Sequence, residues 1–457
     1  MTKIDPSIWA GRYEEALKPG VIKSRGESRG RPLQSHMTLD VEAACKAIRE
    51  GMEEVVLVTA QVEAIAKTLI QRARAHAVDI YKDPHAVLKF AYHGATIEDF
   101  VTPMFLTGLA GVGKSRLRIV LRRVLSGRRL VQIDAAHPAV PLIDFVDGNI
   151  GRKTGPSAVV KSLIEEVLGI GDMDGKGGAV KECARVIRLS GACLLGADET
   201  QFMAQSASAA TLITRTLLSL ADLQVPWFVI GNYSLGWKLC ERDPEATQRL
   251  IHDPVIMMPD PPDSLDWVNL LAEYQVVLAE VLDFELLTYQ VELWNLSAGL
   301  KRELVSLLVT SYRISRHGGD SQISWSHVRR AFASASFSVA RADINALISN
   351  AGQGGKLKRG LRCPFDGPEI QAAISTYSEK LREARAEKVA IATVKASMNR
   401  QEREAIENIE NAAEPSRASP AQVIKMPKRR KPRTLEGMQE AAQDFLASLA
   451  KDPSAKT

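Results

Sequence analysis

The stretch Gly108-Leu-Ala-Gly-Val-Gly113-Lys114-Ser115 fits the pattern GxxxxGK[ST] without a mismatch. Its flanks agree with it. Met104 to Thr107 runs into the first glycine as a short apolar strand, and Ser115 to Val124 continues as a helix. Strand, loop and helix in that order make a phosphate cradle. Successive backbone N–H groups from Gly111 to Ser115 wrap the phosphates, and the helix N-terminus adds its partial positive charge. Glycines are needed because a Cβ would block the close approach of backbone to phosphate. Lys114 is expected to reach the β- and γ-phosphates, and the Ser115 hydroxyl to ligate Mg²⁺. Gly108, Gly111, Val112, Gly113, Lys114, Ser115 and Arg116 are therefore the expected ATP-binding set. Pro103 is tolerable because it heads the strand.

A second half of the site reads from Ala192-Cys-Leu-Leu-Gly-Ala-Asp198-Glu199-Thr-Gln201. An apolar strand ending in two carboxylates suits a magnesium site. Asp198 holds the Mg²⁺ shell, and Glu199 polarises the attacking water as base. Gly196 departs from the usual bulky run and is expected to weaken local packing. The strand Trp227 to Gly231 ends at Asn232, a polar group placed either to touch the γ-phosphate and orient water, or simply to start a turn. In Ser297-Ala-Gly299-Leu-Lys-Arg302, a basic residue opens a helix. Arg302 is either a cation that swings onto the phosphates or a plain surface residue. Arg242 and Arg249 precede the last strand. Arg249 is the better candidate for an arginine finger into a neighbouring subunit, with an intrachain salt bridge as the alternative.

Working outward, four- to seven-residue apolar runs alternate with helical patterns between 100 and 260. They are VTPMFLTG, RLVQID, ACLLGAD, PWFVIG and PVIMM. That alternation specifies an α/β core with a parallel sheet and crossover helices. Five strands are expected, with the phosphate-loop strand central and the two nucleotide-binding strands side by side. Beyond Ser264 strand signals cease, and helices at 264–281, 284–295, 300–315 and 326–337 form a lid over 261–340. Residues 1–99 form a helical N-terminal extension: 1–37 read as loosely ordered, and Thr38 caps a long helix running to Tyr81 with a soft break at Gly51. Residues 341–412 are a charged helical extension. Residues 413–457 combine a basic linker with a short amphipathic helix, and are expected to be partly disordered.

Composition narrows the class. The chain has 457 residues, 59 Lys+Arg against 54 Asp+Glu, 45% hydrophobic and 25% charged residues. Global disorder and collagen-like architecture are excluded. Five cysteines without a CxxC pair argue against a zinc ribbon or a disulfide scaffold. No stretch approaches a membrane span and the N-terminus lacks a signal-peptide core, so a cytoplasmic location without membrane contact is expected. Between Lys425 and Arg433, KMPKRRKPR presents six basic residues. It reads as a solvated tail or as a docking arm for nucleic acid or an acidic protein face.

With the phosphate loop, Asp198-Glu199, Asn232, Arg249 and Gly299-x-x-Arg302 in that order, the chain resembles an AAA+ ATPase. More closely, it is similar to the TnsC/TniB family of transposition regulators. VQIDAAHP, LLGADETQ, QVPWFVIGN, QRLIHDPVI, LWNLSAGLKRELVSLLVTSYRIS and ISWSHVRRAF carry that likeness across about 100–335. The resemblance implies ATP-dependent ring or filament assembly on double-stranded DNA, recruitment of a transposase, and contact with a target-selecting protein. Arg152-Lys153 lies on a candidate DNA-facing surface. Two other classes compete: a nucleotide-switched signalling or defence ATPase acting on protein partners, and a helicase or clamp loader. The first usually carries a repeat domain, the second a zinc or winged-helix module, and the sequence has neither signature.

Overall fold

β1 (Met104–Gly108) is buried along its whole length, as its apolar composition requires. It pairs in parallel with β6 (Trp227–Ile230) on one side and β7 (Asp253–Met257) on the other. Beyond β6 lie β5 (Leu195–Asp198) and β4 (Val146–Asn149), giving a five-stranded parallel sheet of order β4-β5-β6-β1-β7. The computed structural model describes residues 7–81, 101–132, 136, 139–149, 158–161, 179–198, 207–351, 357–399 and 401–402. Parallel neighbours need crossovers, and helices Lys114–Val124, Ala179–Leu189 and Ala207–Ala221 follow strands in the expected alternation. The expected α/β P-loop core with a helical lid is therefore present.

Three details of the sheet differ from expectation. The phosphate-loop strand is second from the edge, and β6 is central. The Asp198 strand is not beside β1, because β6 lies between them. The run at Arg128–Val131 (β2) does not join the main sheet; it pairs antiparallel with β3 (Val140–Ile143). The fifth main strand is instead Val-Asp-Gly-Asn at 146–149, whose polar and glycine residues hide it from a search for apolar runs.

The N-terminal region is firmly packed where looseness was expected. Helix Ser7–Ala16 buries Trp9 and Tyr13, and Trp9 stacks on Tyr81 at 5.0 Å between ring centroids. Arg12 is bonded to Ile143 O at 3.1 Å and also to Gly191 O, and it pairs with Asp144 at 3.2 Å. Burial pushes the Asp144 carboxyl above its ordinary range, with Arg12 opposing. The long helix expected from Thr38 is two helices, Val41–Glu54 and Ala60–Ile80. The first is capped by Asp40, which accepts from the N–H groups of Glu42 and Ala43, and the second by Thr59. The break falls at Val55–Val58, where β-branched and apolar side chains favour extended backbone and enter the core instead.

Lid helices cover Leu265–Val277, Gln290–Ser297, Lys301–Gly318, Trp325–Ala333 and Ser338–Asn350. Ser264 starts the first by accepting from Trp267 N–H at 3.2 Å. Arg313 of the lid reaches Glu42 at 2.7 Å, so the N-terminal helices bridge core and lid. A long helix, Pro368–Ser397, packs back on the lid through Tyr377, whose hydroxyl donates to Ala298 O at 2.9 Å. Among the described residues no helix is long and apolar enough to cross a membrane. The basic run, the amphipathic helix after it and Arg152-Lys153 lie outside the described residues.

Candidate nucleotide site

The loop after β1 turns on glycines: Gly108, Gly111 and Gly113 have φ of +153°, +85° and +114°. Gly111 shows why. A Cβ there would stand 2.9 Å from the Arg302 Cβ, because the first turn of the lid helix Lys301–Gly318 is seated on the loop. Arg302 N–H donates to Gly111 O at 3.2 Å, which fixes that seating through the backbone. Lys301, beside it, places its ammonium 2.8 Å from Asp260 Oδ2 in the connection between β7 and the lid.

Lys114 opens the helix that follows the loop and is buried. Its ammonium donates to Gly108 O at 2.9 Å and Leu109 O at 2.8 Å. Burial, reinforced by Arg302 and opposed by Asp198, pulls its pKa down to about 7. A cation so poorly solvated gains strongly from an anion placed beside it. Ser115 is exposed in the first turn of the same helix, and Val112 is buried beneath the loop. The Arg116 guanidinium donates to Glu53 O, which ties the loop's helix to the N-terminal helices.

Asp198 ends β5 and is buried. Arg118, one helical turn beyond Lys114, holds it: Nη1 lies 3.0 Å from Asp198 Oδ2. Arg118 also grips Asp147 of β4, with Nε 2.5 Å from Oδ1, and Arg122 binds the same carboxylate. Gly196, expected to weaken the strand, is required by its neighbours. A Cβ there would meet Phe228 Cζ at 2.6 Å and Phe145 Cζ at 2.9 Å, the two rings being stacked at 6.1 Å.

Asn232 follows β6 and is the N-cap residue of helix Tyr233–Cys240, without a side-chain capping bond. Gly231 N–H donates to Leu106 O at 2.9 Å, so Asn232 leaves the sheet beside the loop strand. Arg249 sits on the short helix Pro244–Leu250 and pairs with Glu245 at 3.2 Å, both side chains well exposed. Arg242 reaches Thr211 Oγ1 at 3.4 Å. Glu199 lies outside the described residues.

Lys114, Asp198 and Asn232 thus stand at the same ends of β1, β5 and β6, with Arg302 above the loop. The fold is a parallel five-stranded α/β P-loop core with a helical lid seated on the loop. No protein family and no curated protein matches the sequence. Among solved structures the chain is similar to the Aeropyrum pernix ORC1 protein in complex with DNA (18% identity, 65% of this chain and 68% of that one, TM-score 0.37). It is similar too to the Aeropyrum pernix ORC2 protein in ADPNP–ADP complexes (13% identity, 81% of this chain and 98% of that one, TM-score 0.42). A third is the Thermotoga maritima RuvB Holliday junction branch migration motor (11% identity, 64% and 76%, TM-score 0.32).

The donor set suits ATP and Mg²⁺. The positive-φ glycines leave the loop without side chains where phosphate oxygens would lie, and Lys114 is a buried cation at its base. Lys114 and the N–H groups of 111–115 would hold the phosphates, and Ser115 with Asp198 the metal. Sequence reading missed Arg118, Asp147 and Lys301. Arg118 had a signal, the i, i+4 spacing from Lys114 on one helix face. Asp147 had none, because its strand was not read.

Proposed function

We propose that this chain is an ATP-dependent switch that assembles on double-stranded DNA and regulates transposition by recruiting or activating a transposase. The observation that carries the nucleotide part is the lid helix seated on the phosphate loop at Gly111. The DNA and transposase parts are supported by the sequence resemblance to transposition regulators.

Bound ATP with Mg²⁺ supplies a phosphoanhydride bond that water cleaves to ADP and phosphate. Lys114 exchanges its two carbonyl partners for phosphate oxygens and so neutralises charge on them. Asn232 orients the water from the end of β6, and Glu199 takes its proton. Arg302 senses the phosphates from the lid, and through the Gly111 contact turns occupancy of the loop into lid position. Arg249 enters the site of a neighbouring copy, exchanging Glu245 for the γ-phosphate, so that ATP cross-links protomers. Basic side chains meet the DNA backbone, and the segment 413–457 docks the transposase.

The test is sedimentation and electron microscopy with ATP and duplex DNA. Wild type should assemble, with affinity falling steeply as salt rises. Lys114→Ala should bind neither nucleotide nor DNA well, Glu199→Gln should persist on DNA, and Arg249→Ala should bind ATP yet stay monomeric. Wild type that remains monomeric on DNA with ATP, or Glu199→Gln that leaves faster than wild type, would overturn the reading. Deleting 413–457 should leave ATP binding intact while abolishing transposase recruitment.

A further inference from the structure

Arg118 has no place in the nucleotide reading, yet it is the side chain that grips the magnesium-site carboxylate. Its guanidinium spans two strands. Nη1 meets Asp198 Oδ2 at 3.0 Å, while Nε and Nη2 meet Asp147 Oδ1 and Oδ2 at 2.5 and 3.3 Å. Asp147, on the neighbouring strand β4, is held from the other side by Arg122, whose Nε lies 2.9 Å from Oδ2. Only 13% of the Arg118 side chain is exposed, against 63% for Arg122. The inner arginine is thus the one committed to Asp198. A guanidinium fixed on two carboxylates cannot swing away as a surface arginine does.

We infer that Arg118 is a positioning residue that makes divalent-metal binding at Asp198 conditional on nucleotide. The inference rests on the nucleotide reading above. With Arg118 on Oδ2, the Asp198 carboxylate is held in one orientation and its charge is partly spent. A lone divalent cation must compete with that guanidinium and finds too little negative charge. Phosphate oxygens in the loop supply the missing charge, so metal and nucleotide enter together. Asp147 sets the strength of this restraint by sharing Arg118: the more tightly Asp147 holds it, the less it draws on Asp198.

Two substitutions then act in opposite directions. Arg118→Met keeps length and removes charge, so Mn²⁺ measured without nucleotide, by paramagnetic resonance, should bind at least about tenfold tighter than to wild type. Asp147→Asn leaves Arg118 wholly on Asp198, so Mn²⁺ should bind more weakly than to wild type, and in the presence of a fluorescent ATP analogue the Mg²⁺ midpoint should rise severalfold. Arg118→Lys, which keeps the charge, should stay near wild type. A merely structural role would weaken metal binding in both Arg118→Met and Asp147→Asn. That result, or no change in either, overturns the inference. Binding of the fluorescent analogue to wild type at saturating Mg²⁺ is a separate arm. Its absence defeats the nucleotide reading itself, whereas the Mn²⁺ comparison is read without nucleotide.

Discussion

Gly111→Ala asks whether the lid rests on the phosphate loop in solution. Gly111 has φ +85°, and an added Cβ would lie 2.9 Å from the Arg302 Cβ. Two costs arise. An L-residue in left-handed backbone costs about 1–2 kcal/mol. Carbon–carbon contacts settle at about 3.5–4.0 Å, so the lid helix must also back away by more than half an ångström. That lengthens the 3.2 Å bond from Arg302 N–H to Gly111 O beyond useful range, a loss of about 1 kcal/mol. The total is about 2–3 kcal/mol, to be read from urea unfolding followed by tryptophan fluorescence, since Trp267 and Trp294 are buried in the lid. The two costs are separable. Arg302→Gly removes the opposing Cβ and Arg302→Ala keeps it. Gly111→Ala combined with Arg302→Gly should show a favourable coupling of about 1 kcal/mol, and combined with Arg302→Ala none. Strict additivity in the first pair would refute a lid seated on the loop.

Gly196→Ala should destabilise by about 1–3 kcal/mol, because the Phe145–Phe228 stack has to part for one methyl; a shift below about 0.5 kcal/mol in the same assay would contradict the packing described. Arg12→Leu leaves the Asp144 carboxylate buried without its cation, and should cost about 3–5 kcal/mol and expose Trp9 to fluorescence quenchers. Unchanged quenching would mean that the first helix is not docked as described. Burial, then the nearby Arg188, lowers the His76 pKa to about 4 from 6.5. The unfolded chain takes up that proton below pH 6.5 and the folded chain does so only near pH 4, so this contribution to stability is present above pH 6.5 and lost as pH falls toward 4. The loss is about 3 kcal/mol, and His76→Gln should flatten the acid limb of a stability–pH curve. An unaltered limb would assign the acid sensitivity elsewhere.

The phosphate loop and the lid were legible because each is specified locally: glycine spacing and a basic residue for the first, uninterrupted helical periodicity for the second. What escaped depends on partners far along the chain. Val146–Asn149 is a strand because Leu195–Asp198 lies beside it, not because Val-Asp-Gly-Asn favours extension. Trp9 and Tyr13 looked like members of a loose leader until Tyr81 and Asp144 were placed against them. The place of β1 in the sheet follows from which strand neighbours β6, and alternation of elements does not encode that. Gly196 was misread for a related reason: a glycine that weakens an isolated strand serves a packed one when two rings need the space.

The docking of Arg12 also bears on how the chain is made. Arg12 and its acceptor Gly191 are 179 positions apart. At about 5–20 residues per second, the first helix emerges roughly 10–40 s before its partner carbonyl is synthesised. Until Asp144 is made the Arg12 guanidinium has no carboxylate, and until Gly191 is made it lacks that carbonyl. The helix Ser7–Ala16 is therefore made well before the last of its native partners.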